Sequence, residues 1–321
     1  MLSMTTDPTL SPAVETLLKE VRDHFPNQLN IQVDDQESGR ISHESAQQEP
    51  QQDGSILLHV YDKTDINYTI SHELLHIEMY LKGFPTMSFP LTTTDPRLDD
   101  QLGATAVSIY NSALHLIIGA EQRRNGIITK DTVQAFIRGI SDVVPAEEGD
   151  AEDPKIIYRV LSLLDGLAFF ADHEDEVPAE WLQMYPIAFQ AAQQLYAVMT
   201  EKVIDSPFAI RRSIVKTLRA FDAWLDKLGY VPMPHDQFAA VSPVLSKRQL
   251  KLEFRQVFDI LHSDYLNRQT KEKAFLAIGK NDRQLAFAIP EKELDQDHAL
   301  AVYGQTTADV LEHYGISYTT R

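Results

Sequence analysis

The chain has no cysteine among its 321 residues. Disulfide bonds, thiol nucleophiles and cysteine-ligated zinc sites are therefore excluded, and so is the main argument for an oxidising compartment. The first residues lack the basic and apolar regions of a signal peptide, and no apolar run comes close to the ~20 residues that a membrane helix needs. We therefore expect a cytoplasmic protein without a membrane partner.

Basic residues are also scarce, since 29 Lys and Arg stand against 47 Asp and Glu, giving a formal net charge of −18. A surface of that charge repels nucleic acids and anionic membranes, so no nucleic-acid partner is expected. Neither a glycine-rich phosphate loop nor a G-x-S-x-G nucleophile motif occurs. Hydrophobic residues make up 43% of the chain, which is ample for a core, and the length suits two domains or one large one.

The most informative segment is His72-Glu73-Leu74-Leu75-His76, which spells H-E-x-x-H. On an α-helix, residues four apart lie on one face, so His72 and His76 can present two imidazoles to one metal ion. Glu73 lies one step round the helix, where it can take a proton from a water at the metal without being a ligand. The pattern predicts a zinc site with Glu73 as the general base.

The surrounding sequence predicts the helix that this spacing requires. Residues 67–82 contain no Gly or Pro, Thr64 and Asp65 are available to cap the start, and Gly83 is placed for a left-handed C-terminal cap. The apolar run 56–61 comes just before and predicts a buried strand that leads into the helix.

A strand, a short turn and a helix that carries His72, Glu73 and His76 resemble the core of the zincin metallopeptidases, and in particular uncharacterised bacterial zincin-like proteins. A predicted helix at 12–25 and a strand at 29–33 extend this resemblance over roughly the first 125 residues. The resemblance implies a zinc-dependent peptidase or related hydrolase that acts on peptide or protein substrates. The alternative is a non-catalytic zincin-like module used for binding or regulation.

A catalytic zinc ion needs a third protein ligand. Acidic or histidine side chains downstream of the motif are the candidates: Asp95, Asp99, Asp100, His115 and Glu121. We favour His115, because the segment 98–118 is apolar on nearly every face, and a buried histidine needs a partner such as a metal. A core histidine hydrogen-bonded to a carbonyl or to Asn111 is the alternative. The aspartates are better explained as acidic residues at the start of a helix, where the helix dipole favours them. Glu121 is better explained as a solvent-exposed side chain.

Two polar stretches interrupt the pattern. Residues 35–53 predict a mobile insertion between two strands, with a lid over the cleft as the less favoured alternative. His43, inside this stretch, is expected to be exposed to solvent. The acidic residues 146–153 predict a linker or exposed turn.

Tyr110 and His173 are weak candidates for stabilising an oxyanion.

The rest of the chain is predicted to be mainly helical. Helices are expected at 155–171, 179–201, 207–228 and 246–265, then a hairpin at 274–289 and a last helix at 307–313. The fold class is thus α+β and predominantly helical. The predicted domains are a zincin-like domain at 1–145, a helical domain at 154–268 and a small C-terminal α+β segment at 269–321.

Overall fold

The computed structural model describes residues 8–42, 45–149, 153–230, 233–294 and 296–321. The helices are α1 (Pro12–His24), α2 (Ile66–Leu81), α3 (Pro96–Arg124), α4 (Lys130–Ser141), α5 (Ile156–Phe169), α6 (Trp181–Met184), α7 (Pro186–Met199), α8 (Pro207–Lys227), α9 (His235–Phe238), α10 (Lys247–Lys251), α11 (Phe254–Val257), α12 (Gln296–Gly304) and α13 (Thr307–His313). The strands are β1 (Leu29–Val33), β2 (Ala46–Pro50), β3 (Ile56–Val60), β4 (Met87–Ser88), β5 (Leu91–Thr92), β6 (Ala240–Val241), β7 (Val244–Leu245), β8 (Phe258–Asn267), β9 (Lys273–Gly279), β10 (Leu285–Pro290) and β11 (Thr319–Thr320).

About 51% of the protein is helix and 17% is strand, which confirms the predicted α+β class. The chain forms two compact units. Unit 1 comprises the described residues of Met1–Lys82 and Leu114–Ala192, and unit 2 those of Gly83–Ala113 and Gln193–Arg321. Helix α3 therefore begins in unit 2 and ends in unit 1. The contiguous domains that the sequence predicts, 1–145, 154–268 and 269–321, stay a prediction.

The predicted starts and ends of α1 and α2 are confirmed, and local chemistry explains them. Ser11 caps α1 and accepts from the Val14 amide at 3.5 Å, with Pro12 in the first turn. Asp65 caps α2 and accepts from the Tyr68 amide at 3.0 Å. After α2, Gly83 has a φ of +74°, a conformation that favours glycine at a helix end.

Unit 1 contains a three-stranded sheet in the order β1-β3-β2. The central strand β3 is parallel to β1 and antiparallel to β2. Side chains of β1 and β3 contribute to the buried core, among them Leu29, Ile31, Leu58 and Val60. The predicted strands at 29–33 and 56–61 are therefore confirmed, and β3 leads into α2 as expected.

The prediction of a mobile insertion at 35–53 is wrong at residues 46–50, which form the strand β2. Three backbone amides before β2 donate hydrogen bonds: Ser38 N to Asp62 Oδ2 at 3.0 Å, Gly39 N to Thr64 Oγ1 at 2.9 Å and Ile41 N to Ala135 O at 3.1 Å. Polar side chains misled the prediction because an edge strand is held by backbone pairing and needs little apolar burial. His43, predicted to be solvent-exposed, lies outside the described residues.

The described residues of the predicted linker at 146–153 form hydrogen bonds with neighbouring helices. Residues 150–152 lie outside the described residues. The Glu147 carboxylate accepts from the amides of Ile187 at 3.0 Å and Ala188 at 2.6 Å, and so caps α7. Arg159 donates to the Ala146 carbonyl at 2.8 Å. Because α7 begins with its own cap and Pro186, the helix predicted at 179–201 is divided into α6 and α7.

Unit 2 contains a four-stranded antiparallel sheet in the order β10-β9-β8-β5. The predicted hairpin and last helix are confirmed as β9–β10 and α13. The helix predicted at 246–265 is wrong, because two short helices there give way to β8 at Phe258. Pairing with β9 overrides the helical apolar spacing of this segment, and such pairing cannot be read from local sequence.

Among the described residues, α3 is the one helix that is long and apolar enough to cross a membrane. Polar residues such as Ser108, Asn111 and His115 interrupt its apolar residues, so it was not predicted as a membrane helix. Its most apolar stretch is 56% buried inside the protein, and a buried core helix has the same length and composition.

Alanine at Gly139 is expected to destabilise unit 1, because a Cβ there would lie 1.8 Å from the Ile41 carbonyl oxygen. We expect the free energy of unfolding to fall by about 1–3 kcal/mol in chemical denaturation. Gly119 is the matched control, since a Cβ there meets nothing within 4 Å. Alanine at Gly119 is expected to stabilise by about 0.5–1 kcal/mol, and equal effects of the two changes would contradict the close approach.

Candidate metal centre

Three histidines of unit 1 converge at one point. His76 Nε2 lies 3.2 Å from His72 Nε2 and 3.3 Å from His115 Nε2. His72 and His76 are one turn apart on α2, and His115 comes from α3. Among the described residues, these three form the one group of three or more metal-ligating side chains whose ligand atoms gather closely, all within 4.8 Å of one another. The structure thus brings together the three residues that the sequence proposes as ligands.

The spacing of the Nε2 atoms fits a tetrahedral zinc site. Nitrogen atoms bound 2.0–2.1 Å from zinc, at the tetrahedral angle, lie about 3.3–3.4 Å from one another. The two Nε2 distances from His76 agree with that value. The rings are also steeply inclined to one another, with interplanar angles of 61° to 72°, which suits three ligands that approach one point from different directions.

Hydrogen bonding among the imidazoles accounts less well for this arrangement. A ring nitrogen carries either one proton or one lone pair in the ring plane, so it makes one ordinary hydrogen bond. His76 Nε2 lies within hydrogen-bonding distance of two other nitrogens. One cation accommodates all three lone pairs at once, whereas hydrogen bonds satisfy only one of the two close approaches.

Asp165 on α5 orients His115. Its Oδ1 lies 2.5 Å from His115 Nδ1, and both side chains are buried, with 7% of each exposed. With the proton on Nδ1 donated to the carboxylate, Nε2 is left with the lone pair that a metal needs. A nearby dication would also offset the cost of burying the Asp165 charge. The contact corrects the sequence-based alternative, which named Asn111 or a carbonyl as the partner of His115.

Gln48 on β2 holds the predicted general base. Its Nε2 donates to Glu73 Oε2 at 2.8 Å and to the Glu73 carbonyl at 3.2 Å. The edge strand therefore fixes the orientation of the carboxylate next to His72. Glu73 is not part of the histidine group itself, which agrees with the expected position of a base beside a metal.

The other candidates for a third ligand are engaged elsewhere or exposed. Asp95 Oδ1 accepts from the Arg97 amide at 3.0 Å at the start of α3, and Asp100 is exposed. Glu121 pairs with Arg124 at 2.5 Å. Asp99 accepts from the hydroxyl of Thr92 at 2.6 Å and the amide of Thr93 at 2.7 Å. Burial acts to raise the pKa of Asp99, but these bonds outweigh it and hold that pKa below its usual range.

A cavity of about 420 Å³ lies beside His72 within unit 1. Tyr68, His72, Glu73 and Asp165 are among the residues that line it. The lining also includes apolar and aromatic side chains, which we call the apolar wall: Ile41, Phe136, Ile140, Val143, Val144 and Tyr158. A substrate in this cavity would thus meet the predicted base and an apolar wall together.

The oxyanion candidates from the sequence do not line this cavity. The Tyr110 hydroxyl donates to the Pro85 carbonyl at 2.9 Å, and burial raises the pKa of Tyr110 to about 12. His173 lies 3.9 Å from Glu176 and is 44% exposed. Tyr68, which the sequence analysis missed, does line the cavity. Burial, and then the negative charge of Asp165, raise the pKa of Tyr68, so its hydroxyl keeps its proton.

Comparisons with models of protein families, with curated proteins and with solved structures found no match.

Asparagine at Asp165 is expected to lower zinc affinity by roughly 10- to 100-fold, the usual cost of losing a partner that orients a metal-binding histidine. Asparagine keeps the size but removes the charge that favours a proton on His115 Nδ1. Competition with a chromophoric chelator measures the change. Asp131→Asn, on the exposed start of α4, is the control and should leave the affinity unaltered. Equal affinities of all three proteins would mean that Asp165 does not support a ligand.

Proposed function

We propose that this protein is a zinc-dependent peptidase or related hydrolase of the zincin-like type, with Glu73 as its general base. The observation that carries the proposal is the gathering of three histidines, with His76 Nε2 at 3.2 Å from His72 Nε2 and 3.3 Å from His115 Nε2, as in a tetrahedral site, beside Glu73 and a cavity. Three histidines leave the fourth position of a tetrahedral ion open, as in catalytic rather than structural zinc sites.

Each residue has a distinct role in this proposal. His72, His76 and His115 would hold the ion. Zinc, when bound, would polarise the scissile carbonyl and lower the pKa of a water molecule beside it. Glu73 takes a proton from the attacking water and passes it to the leaving amine. Gln48 holds the Glu73 carboxylate in place for that transfer.

The apolar wall of the cavity favours substrates with a large apolar side chain next to the bond that is cut. Phe136, Ile140 and Val144 are buried, so these side chains are already packed and lose little freedom on binding. Burying an apolar side chain there contributes about 25 cal/mol per Å² of apolar surface removed from water.

Digestion of a diverse peptide library tests the proposal. Zinc-loaded protein is compared with the same preparation after chelation and after reloading. We expect cleavage only in the loaded samples, with large apolar residues enriched at one side of the cut bond. A protein that binds zinc tightly at these histidines and cuts no peptide in the library would overturn the hydrolase proposal in favour of a non-catalytic zincin-like module.

Leucine at Ser162 is expected to shift the preference toward smaller side chains. Ser162 lies on α5 and lines the same cavity, so a longer apolar side chain there reduces the space for substrate. We expect the cleavage rate for peptides with Phe or Leu beside the bond to fall by about tenfold relative to peptides with Ala. Zinc content should not change, which separates an altered cavity from a lost metal. An unchanged preference for large side chains would mean that residues outside this cavity determine the specificity.

A further inference from the structure

Unit 2 contains a second cavity, of about 280 Å³, whose charge is opposite to that of the whole protein. Its volume lies just below the ~300–1,000 Å³ typical of small-molecule sites. Six cationic side chains line it, namely Arg211, Arg212, Lys216, Arg219, Lys280 and Arg321, while Asp282 is the one carboxylate side chain in the lining. In a chain with a net charge of −18, this concentration of positive charge marks the cavity as a site for an anion.

The ion pairs around the cavity leave part of this charge uncompensated. Arg211 pairs with Asp282, Lys216 pairs with Glu201, and Lys280 lies 3.0 Å from Asp259. Within the described part of the chain, no carboxylate lies at ion-pair distance from Arg212 or Arg219. The Arg212 guanidinium is 3.4 Å from the Val203 carbonyl and interacts at longer range with Glu201, and Arg219 interacts at longer range with Asp236. These two guanidinium groups keep most of their capacity to donate to a ligand.

The cations are held by a rigid framework. Arg211, Val215 and Arg219 recur at four-residue spacing on α8, as do Arg212 and Lys216, so one helix presents four of the six charges. The buried Arg211 donates to the Ser242 carbonyl at 3.0 Å and to the Val241 carbonyl at 3.4 Å. Such fixed donors need little further ordering when a ligand binds.

Apolar side chains form most of the remaining lining: Phe208, Val215, Pro243, Val244, Leu245, Val257 and Phe258, together with Gln249, Gly279 and Asn281. The guanidinium carbon of Arg321 lies over the Phe208 ring, 3.7 Å from the ring centre, in a cation–π contact. An inorganic ion alone would leave this apolar surface uncovered. The combination suits an anionic group attached to a small apolar body.

We propose that this cavity binds a small phosphate ester, with the phosphate at the cationic side chains of α8 and the organic part against the apolar lining. A phosphate monoester carries up to two charges and three acceptor oxygens, and guanidinium groups match that geometry with paired N–H donors. A carboxylate offers only one charge and two oxygens to the same donors. The site is formed by unit 2 alone and does not depend on the proposed hydrolase function.

Phenyl phosphate, inorganic phosphate and benzoate are the probes, titrated into the full-length protein at constant ionic strength and followed by calorimetry. We expect saturable binding of phenyl phosphate with a Kd below about 1 mM, at least fivefold weaker binding of inorganic phosphate, which lacks the apolar body, and weaker binding of benzoate. The double variant Arg212→Gln/Arg219→Gln should bind phenyl phosphate at least about tenfold more weakly. Both side chains are outside the buried core, so this variant is expected to fold.

Arg97→Gln is the matched control, because Arg97 is an exposed arginine of unit 2 that does not line the cavity. Its affinity for phenyl phosphate should equal that of the wild type. Equal loss in the control and the double variant would mean nonspecific attraction and would overturn the proposal. So would the absence of saturation up to about 10 mM phenyl phosphate, or benzoate binding as tight as that of phenyl phosphate.

Discussion

Replacing both His72 and His76 with alanine is expected to abolish zinc binding, from about one ion per wild-type chain to none. The change removes His76 Nε2 and His72 Nε2, which lie 3.2 Å apart, and leaves only His115 Nε2, which lies 3.3 Å from His76 Nε2 in the wild type. The remaining His115 offers one ligand, which cannot hold an ion against dialysis. Metal content after dialysis against a weak chelator, measured by mass spectrometry, reports the loss directly.

The controls for this prediction use other histidines of unit 1. His24→Ala removes an exposed histidine on α1 whose Nδ1 lies 2.7 Å from the Glu20 carbonyl, and zinc content should stay at the wild-type value. His115→Ala should also release zinc, because two ligands do not make a stable site. Full zinc retention in the double variant would contradict the site, whereas retention in His115→Ala alone would contradict only the third ligand.

The sequence predicted α2 and its motif well, because all of the signals are local. Asp65, Gly83 and the four-residue spacing of the histidines lie within a single helix and its ends. His115 was a longer inference, since it depended on the rule that a buried histidine needs a partner. That reasoning narrowed five candidates to the one that the structure places beside His72 and His76. Its role as a ligand stays a proposal.

The supporting residues could not be placed from the sequence. Asp165 is separated from His115 by 50 residues and Gln48 from Glu73 by 25, and no local period relates the members of either pair. An acid within the largely apolar helix α5 was a usable signal for Asp165, because burying such a charge needs compensation. Gln48 gave no such signal, because the polar sequence of its edge strand is typical of a loop.

Replacing Glu73 with glutamine is expected to lower any hydrolytic rate by at least about 10²-fold, the usual effect of losing general-base catalysis. Glutamine keeps the size of the side chain but cannot accept the proton from water. Glu73 lies outside the histidine group, so zinc content should be unchanged. We expect the melting temperature to change little as well, because the amide can still accept the hydrogen bond from Gln48. The rate of cleavage of a peptide selected from the library is the measurement.

Glu78→Gln is the matched control, since it makes the same chemical change on the same helix, at a surface pair with Lys82 at 2.9 Å. Such pairs contribute about 0–1 kcal/mol, so stability and activity should both be close to wild type. A variant at Glu73 that loses activity while it keeps its zinc and its fold would support the carboxylate as the base. Equal rates for the Glu73 variant, the Glu78 variant and the wild type would exclude that role. The histidines would then serve metal binding without this chemistry, as the non-catalytic alternative requires.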